Sequence, residues 1–247
     1  MDFNRYGLSD SELLYFYKEL LKPRLIEEKM IQLAKEGRIS KWFSGFGQEA
    51  IGTGVTLAMD QDEYILPLHR NLGVFTARCI SLKRLFAQFE GKPGGFTKGR
   101  DRTFHFGSRE LHLIGMISHL GPQLGVADGI ALAHKLRKEN KAVAVFSGDG
   151  AVSEGDFHEA VNVAAVWDLP VIFVIENNGY GLSTPSSEQY RHRHFIDKGP
   201  GYGIDAFQVD GNNILEVYRV TKKNPAGYPG SAPAGFTGSD NLPYAGA

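Results

Sequence analysis

Residues 143–184 constrain the fold of this chain most, because they alternate apolar runs with polar turns at a regular distance. They read as an apolar strand, an SGDG turn, a helix, a second apolar strand and ENNGYG. The GDG string at 148–150 and the NN pair at 177–178 are separated by 26 residues. That spacing accommodates one strand–turn–helix–strand unit that returns to the same edge of a parallel sheet. We therefore predict an α/β fold in which both turns lie at the carboxyl ends of neighbouring strands, where open sheets bind ligands.

The residue types in these two turns are those that bind a magnesium ion together with a diphosphate. Asp149 offers a carboxylate and Asn178 an amide oxygen, and Mg²⁺ usually takes few protein ligands together with phosphate oxygens. We predict that the following helix starts near Ser153, because Ser153 and Asp156 match the capping-box pattern. The free N–H groups at such a helix start favour an anionic phosphate. Either turn alone is typical of an ordinary loop, but the pair at this spacing predicts a Mg²⁺–diphosphate site.

The composition indicates a chain with a sizeable core and without a strongly charged surface. Its 247 residues carry a formal net charge of −1, and they contain no extended run of Lys and Arg. No apolar run approaches the roughly 20 residues that cross a bilayer. We therefore expect neither nucleic acid nor a membrane as a partner. Cys79 is the only cysteine, which excludes an intramolecular disulfide, and the first residues resemble no signal or transit peptide, so we expect a cytoplasmic protein.

Apolar periodicity divides the chain into three predicted parts. Residues 1–46 form a helical arm that begins with a capping box at Ser9, and Pro23 kinks or divides its helix. Residues 47–223 form an α/β domain with a mostly parallel central sheet and helices on both faces. Its further predicted elements are a short buried strand at 63–67 and helices at 47–59, 71–79, 82–90, 122–137 and 214–223. Residues 224–247, rich in Gly, Pro and Ala, form a tail that is predicted to be irregular.

The GDG and NN pair resembles the fingerprint of thiamine diphosphate-binding enzymes. The wider stretch, from the GQEA string at 47–50 to Lys223, resembles alpha subunits of the decarboxylating component of 2-oxo acid dehydrogenase complexes. The strings STPSSEQYR at 183–191, GPGYGI at 199–204 and VDGN at 209–212 are most similar to the branched-chain type. The resemblance implies a thiamine diphosphate-binding fold that is C-terminally incomplete here, because family members continue with more sheet, more helix and a His-rich loop.

The resemblance also implies roles for individual residues, with thiamine diphosphate and Mg²⁺ as cofactors. Ser118 and the Leu120 backbone would meet the aminopyrimidine, and the Leu120 side chain would hold the cofactor bent. Ser118 and His69, which stands where relatives carry Tyr, are the implied catalytic residues. The implied metal ligands are Asp149, Asn178 and the Tyr180 carbonyl. The implied cofactor-binding residues are Arg70, Ser118, Leu120, Asp149, Gly150, Ala151, Asn178 and Tyr180.

The implied reaction is decarboxylation of a 2-oxo acid with transfer of the acyl group to a lipoyl group of a partner acyltransferase. Relatives that act on pyruvate carry a His near the position of Phe43, so its apolar ring favours a branched aliphatic substrate. A beta subunit would complete the site in an α₂β₂ heterotetramer, and the small-residue helix at 123–133 is a candidate packing face. Two alternatives stay open, a pyruvate or acetoin dehydrogenase alpha subunit and a truncated, non-catalytic module that binds a cofactor or a partner.

Overall fold

The computed structural model describes residues 4–39, 42–101, 103–191 and 194–223, so the predicted tail at 224–247 lies outside the described residues. The first four helices are α1 Asp10–Lys35, α2 Glu49–Ala58, α3 Leu72–Ala77 and α4 Leu82–Phe89. The later helices are α5 Pro122–Leu136, α6 Gly155–Val166, α7 Gly199–Tyr202 and α8 Ile214–Lys223. The strands are β1 Tyr64–Leu66, β2 Val143–Gly148, β3 Val171–Glu176, β4 Tyr180–Gly181 and β5 Thr184–Pro185.

Strands β1, β2 and β3 form a parallel sheet with β2 in the centre. The register places Val143 of β2 beside Tyr64 on one side and Val171 on the other. At the opposite end of the strands, Gly148 lies beside Glu176. Because the three strands run in one direction, their carboxyl ends meet at the same edge of the sheet. The parallel sheet that the sequence predicts is therefore confirmed.

Helices cover both faces of this sheet, because successive side chains of a strand point to opposite faces. In β2, Ala144 and Phe146 belong to one apolar core with residues of α1 to α4. Val143 and Val145 belong to a second core with residues of α5 and α6. Helix α2 packs on α3 and α8, and α5 packs on α6. The predicted α/β architecture with helices on both faces is the observed one.

Of the two effects predicted for Pro23, division of the first helix is wrong, because α1 continues without a break from Asp10 to Lys35, and the kink stays a prediction. A proline in a helix removes one N–H donor, and buried residues on both sides of Pro23, including Phe16 and Ile26, hold this helix against the rest of the chain. The predicted capping box at Ser9 is confirmed. Within the described part of the chain, no helix is both long enough and apolar enough to cross a membrane.

The start of α6 also differs from the prediction. A short 3₁₀ turn, Ala151–Ser153, follows Gly150, and α6 begins at Gly155 with Glu154 as its N-cap residue. The Glu154 side chain makes no cap hydrogen bond. The predicted capping box at Ser153 is therefore wrong, because Ser153 belongs to the turn. The consequence for the site is that a compact turn, and not the first turn of a helix, follows Asp149 directly.

Candidate functional site

The candidate site lies at the edge of the sheet where the three parallel strands end. His69 and Arg70 follow β1, Asp149 follows β2 directly, and the NN pair at 177–178 follows β3. Residues 117–120 stand in the sequence just before Gly121, the N-cap residue of α5. Three separate stretches of the sequence thus contribute polar side chains to one edge.

Asp149 is the most deeply buried charged group among the predicted site residues, with 2% of its surface exposed. Burial raises the pKa of its carboxyl, and hydrogen bonds from the backbone of Asp149, Gly150 and Asn178 and from the Gln189 side chain oppose this rise. Its Oδ2 atom is buried and has no hydrogen-bond partner among the residues that the structure describes. A buried carboxylate oxygen without a partner is costly. A cation bound at Oδ2 would remove that cost, so Asp149 fits the predicted metal site.

The loop after β3 is shaped by its two asparagines. Asn177 Oδ1 accepts a hydrogen bond of 3.0 Å from the Gly179 N–H, and Asn178 Oδ1 accepts one of 3.1 Å from the Tyr180 N–H. An amide oxygen has two acceptor lone pairs, so Asn178 retains the capacity to bind a metal. The Tyr180 ring is exposed and lies at the start of β4. Since the Asp149 backbone N–H donates a hydrogen bond of 3.3 Å to the Glu176 carbonyl, the two predicted metal-binding turns are adjacent.

Gly150 and Gly181 bring the turn after β2 against the β4–β5 hairpin. A Cβ atom on Gly150 would lie 2.9 Å from the Gly181 Cα, which is closer than real Cβ contacts allow. Gln189 lies beside this contact, and its Nε2 donates a hydrogen bond of 3.0 Å to the Thr184 carbonyl. Gln189 also lowers the pKa of the Asp149 carboxyl, which places it near both the candidate metal ligand and the hairpin.

His69 and Arg70 form a second group of site residues, separate from the group around Asp149 and Asn178. The Arg70 guanidinium donates a hydrogen bond to the Ser44 carbonyl. Burial, together with the charges of Arg70 and His105, lowers the pKa of His69 to about 4. The His69 ring packs edge-on against Phe43, with 4.9 Å between the ring centroids. His69 is therefore neutral near pH 7 and has one donor and one acceptor nitrogen.

Ser118 joins this second group through His105. The Ser118 Oγ lies 2.5 Å from His105 Nε2, and His105 Nδ1 lies 3.2 Å from the Thr103 hydroxyl. The charge of His105 acts on His69, which places the two rings in the same neighbourhood. The Leu120 side chain is 41% exposed, next to the start of α5.

A buried pair links the ends of β1 and β3. The Asn71 side-chain amide donates a hydrogen bond of 2.7 Å to Glu176 Oε1, and its own oxygen accepts one of 2.7 Å from the Leu68 N–H. Burial raises the pKa of Glu176 to about 7, against the effects of the Asn71 hydrogen bond and the Arg70 charge. These hydrogen bonds hold the residues that follow β1, including Arg70, to the end of β3, which leads to Asn178.

Among the described residues, no three His, Cys, Asp or Glu side chains are grouped as in a metal-binding cluster. A metal ion at Asp149 would therefore rely on amide, carbonyl and phosphate oxygens for its remaining ligands. Mg²⁺ is bound in this way in many phosphate sites.

Comparison with known proteins then assigns the chain to a family. The family model described as "Dehydrogenase E1 component" matches residues 17–225. The chain belongs to this E1 family.

Three relatives of this E1 chain are named as the mitochondrial alpha subunit of 2-oxoisovalerate dehydrogenase. The Bos taurus protein is 37% identical over 216 residues, which are 87% of this chain and 48% of the relative. The Caenorhabditis elegans protein is 38% identical over 85% of this chain and 49% of its own length. The Dictyostelium discoideum protein is 38% identical over 87% and 49%. The chain spans about half the length of these relatives, and the matches confirm the resemblance that the sequence motifs indicate.

In this E1 chain the structure thus gathers the predicted residues into two neighbouring groups. Asp149, Gly150, Ala151, Asn178 and Tyr180 surround the ends of β2 and β3, whereas Arg70, His69 and Ser118 lie near the end of β1. Four further residues contact these groups without a role predicted from the sequence, namely Asn71, His105, Glu176 and Gln189. Two of them lie within strings that the sequence motifs include, Glu176 in ENNGYG and Gln189 in STPSSEQYR.

Proposed function

We propose that this chain is the alpha subunit of the decarboxylating component of a 2-oxo acid dehydrogenase complex, with Mg²⁺ and thiamine diphosphate as cofactors. The observation that carries the proposal is the buried Oδ2 of Asp149 at the carboxyl edge of the sheet, which has no hydrogen-bond partner in the described part of the chain. Asp149, Asn178 and the Tyr180 carbonyl would hold the metal, and Arg70 would bind the diphosphate. Family membership supports thiamine diphosphate as the cofactor.

The remaining site residues would orient the cofactor. When bound, thiamine diphosphate supplies the nucleophile and the electron sink that decarboxylation of a 2-oxo acid requires. Ser118 would donate a hydrogen bond to the aminopyrimidine, and the Leu120 side chain would keep the two rings of the cofactor bent towards each other. His69, neutral near pH 7 because its pKa is lowered to about 4, would donate or accept a hydrogen bond without adding charge.

The proposed substrate is a branched-chain 2-oxo acid. The relatives named as 2-oxoisovalerate dehydrogenase subunits support this choice, and so does the apolar ring of Phe43 against His69. A pocket wall of this kind suits an aliphatic side chain better than a polar one. Discrimination between aliphatic substrates rests on about 1–3 kcal/mol per methylene, so the preference is expected to be graded.

The proposed partners follow from the same relatives, whose names call them alpha subunits. We propose a beta subunit in an α₂β₂ heterotetramer and a lipoyl-bearing acyltransferase that receives the acyl group. For the compartment we propose the cytoplasm, supported by the single cysteine, although the three relatives are named as mitochondrial.

The metal site is tested by calorimetry of thiamine diphosphate binding with and without Mg²⁺. Asp149→Ala should abolish the Mg²⁺-dependent part of the affinity, because it removes the only charged metal ligand in the proposed set. Asp205→Ala, at an exposed aspartate, is the matched control and should leave the affinity unchanged. An unchanged affinity in Asp149→Ala would overturn the metal assignment.

The reaction is tested by release of CO₂ from 2-oxoisovalerate and from pyruvate, measured on the chain with and without its beta subunit. The assembled protein should release CO₂ faster from 2-oxoisovalerate than from pyruvate. Decarboxylation by the isolated chain would contradict a site that is shared between two subunits.

A further inference from the structure

Glu27 of α1 lies beneath the loop that precedes α2. Its side chain is 1% exposed, and its carboxylate accepts three hydrogen bonds from that loop. Oε2 accepts hydrogen bonds of 2.6 Å from the Trp42 indole N–H and of 2.9 Å from the Ser44 hydroxyl. Oε1 accepts a hydrogen bond of 2.9 Å from the Gly45 backbone N–H. Burial raises the pKa of Glu27, while these hydrogen bonds oppose the rise. One buried side chain thus fixes the path of residues 42–45.

The same loop is in contact with the residues that follow β1. The Ser44 carbonyl accepts a hydrogen bond from the Arg70 guanidinium. The Gly45 backbone lies against the Arg70 backbone, since a Cβ on Gly45 would be 2.3 Å from the Arg70 carbonyl oxygen. Phe43 packs on the His69 ring. Three consecutive loop residues therefore touch His69 and Arg70, and a shift of the loop would move the guanidinium.

We propose that Glu27 is a positioning residue for Arg70: it holds residues 42–45 in place, and the Ser44 carbonyl then sets the direction of the Arg70 guanidinium. An arginine binds phosphate oxygens through a planar fork, so its orientation determines how well it binds. The inference rests on the proposed function, in which Arg70 contacts the diphosphate. It extends the cofactor site to a helix that the sequence places in a separate N-terminal arm.

Glu27→Gln is the primary test, measured as the calorimetric Kd for thiamine diphosphate in the presence of Mg²⁺. Glutamine has the same shape, but one oxygen becomes an NH₂ group that faces N–H and O–H donors. The loop therefore loses at least one hydrogen bond. We expect the Kd to rise about 10-fold or more, as for other residues that orient ligand-binding groups. The exposed neighbour Glu28 provides the control, and Glu28→Gln should stay within about 2-fold of the original Kd.

A double-mutant cycle separates positioning from a general effect on the fold. If Glu27 acts through Arg70, then Glu27→Gln should change the Kd by less than about 2-fold when Arg70→Ala is already present. If the changes in Kd caused by Glu27→Gln and Arg70→Ala multiply fully in the double variant, Glu27 acts independently of Arg70, and the proposal is overturned.

The indole N–H resonance of Trp42 in a proton NMR spectrum reports the contact directly. The chain has two tryptophans, and the exposed Trp167 serves as the internal reference. The Trp42 resonance should move in Glu27→Gln while that of Trp167 stays in place. An unmoved Trp42 resonance would show that the hydrogen bond to Glu27 is absent, which overturns the proposal.

Ser44→Ala provides a second variant if Glu27→Gln does not fold, because it removes one of the three donors and keeps the backbone. It should also weaken cofactor binding, and its effect should likewise disappear in the Arg70→Ala background. Unchanged affinity in the folded variants would overturn the positioning role and leave the proposed function intact. A failure of the original chain to bind the cofactor would overturn both.

Discussion

Gly73 of α3 lies in direct contact with Thr53 of α2. A Cβ on Gly73 would be 2.4 Å from the Thr53 hydroxyl oxygen and 2.9 Å from the Thr53 backbone nitrogen. Both residues are buried, and α3 begins two residues after Arg70. The contact therefore sets the distance between α2 and the loop that carries His69 and Arg70. The close packing of α2 and α3 thus holds these two site residues in place.

Gly73→Ala is expected to lower the free energy of unfolding by roughly 1–3 kcal/mol, the usual cost of extra volume in a packed interior. Gly129→Ala is the matched control, because nothing in the described part of the chain lies within 4 Å of a Cβ at that position of α5. That control should be more stable than the original by up to about 1 kcal/mol, from helix propensity alone. Urea unfolding measures both, and equal effects at the two glycines would contradict the packing argument.

Asn71→Leu is expected to lower the free energy of unfolding by about 1–3 kcal/mol, because it leaves the buried Glu176 carboxyl and the Leu68 N–H without their partner. The control is Asn162→Leu, at an exposed asparagine of α6, which should change stability by less than about 0.5 kcal/mol. Thermal unfolding near neutral pH distinguishes the two. A cost at Asn71 no larger than that at Asn162 would mean that the link between β1 and β3 contributes nothing to stability.

Asp128 of α5 is expected to make stability depend on pH. Its side chain is 6% exposed, its Oδ1 has no hydrogen-bond partner among the described residues, and burial raises its pKa to about 7. In the unfolded chain an aspartate ionises near pH 3.9. The unfolded state is therefore favoured increasingly as pH rises from about 4 to about 7, where the folded carboxyl also ionises. This contribution destabilises the fold above that window and is absent below it.

Asp128→Asn removes the titrating group and keeps its shape. The variant should become more stable than the original as pH rises through this window, by at most roughly 2–4 kcal/mol above about pH 7. Urea unfolding at several pH values gives the difference curve. A stability difference between the two proteins that does not change with pH would show that burial does not raise the pKa of Asp128.

The parts of the fold that were predictable from the sequence are those set by local patterns. The apolar runs of β2 and β3, bounded by Gly and Asn, located both strands and the two turns of the site. The start of α6 was mispredicted because Ser153 matches a cap motif, whereas the chain after Gly150 forms a 3₁₀ turn first. A local motif cannot distinguish these two continuations.

The supporting carboxylates could not be predicted, because their partners are distant in sequence. Glu176 bonds Asn71 across 105 residues, and Glu27 bonds the Gly45 backbone across 18. In the sequence, Glu27 is one of two adjacent glutamates in a charged helical stretch, and such residues are usually exposed. Only the tertiary structure shows which of the two is buried. The contact of His105 with Ser118 could not be predicted for a similar reason, since it depends on how the intervening loop folds back.

His69 is expected to stay neutral at pH values where an ordinary histidine is already protonated. Burial, followed by the positive charges of Arg70 and His105, lowers its pKa to about 4. Below about pH 6.5 His69 binds a proton in the unfolded chain but not in the folded chain. This residue therefore reduces stability progressively as pH falls towards about 4. His69→Phe should remove that part of the acid sensitivity.

An NMR titration of the eight histidine rings checks this directly, and His69→Phe identifies the resonance of His69. That resonance should not move between about pH 5.5 and pH 8, because the ring is neutral throughout this range. Arg70→Ala should raise the pKa of His69, since it removes a nearby positive charge, although burial continues to hold the pKa below its ordinary value. A midpoint near pH 6.5 in the original chain would show a solvated ring, and His69 would then carry a charge beside Arg70 where the proposed site requires a neutral hydrogen-bonding group.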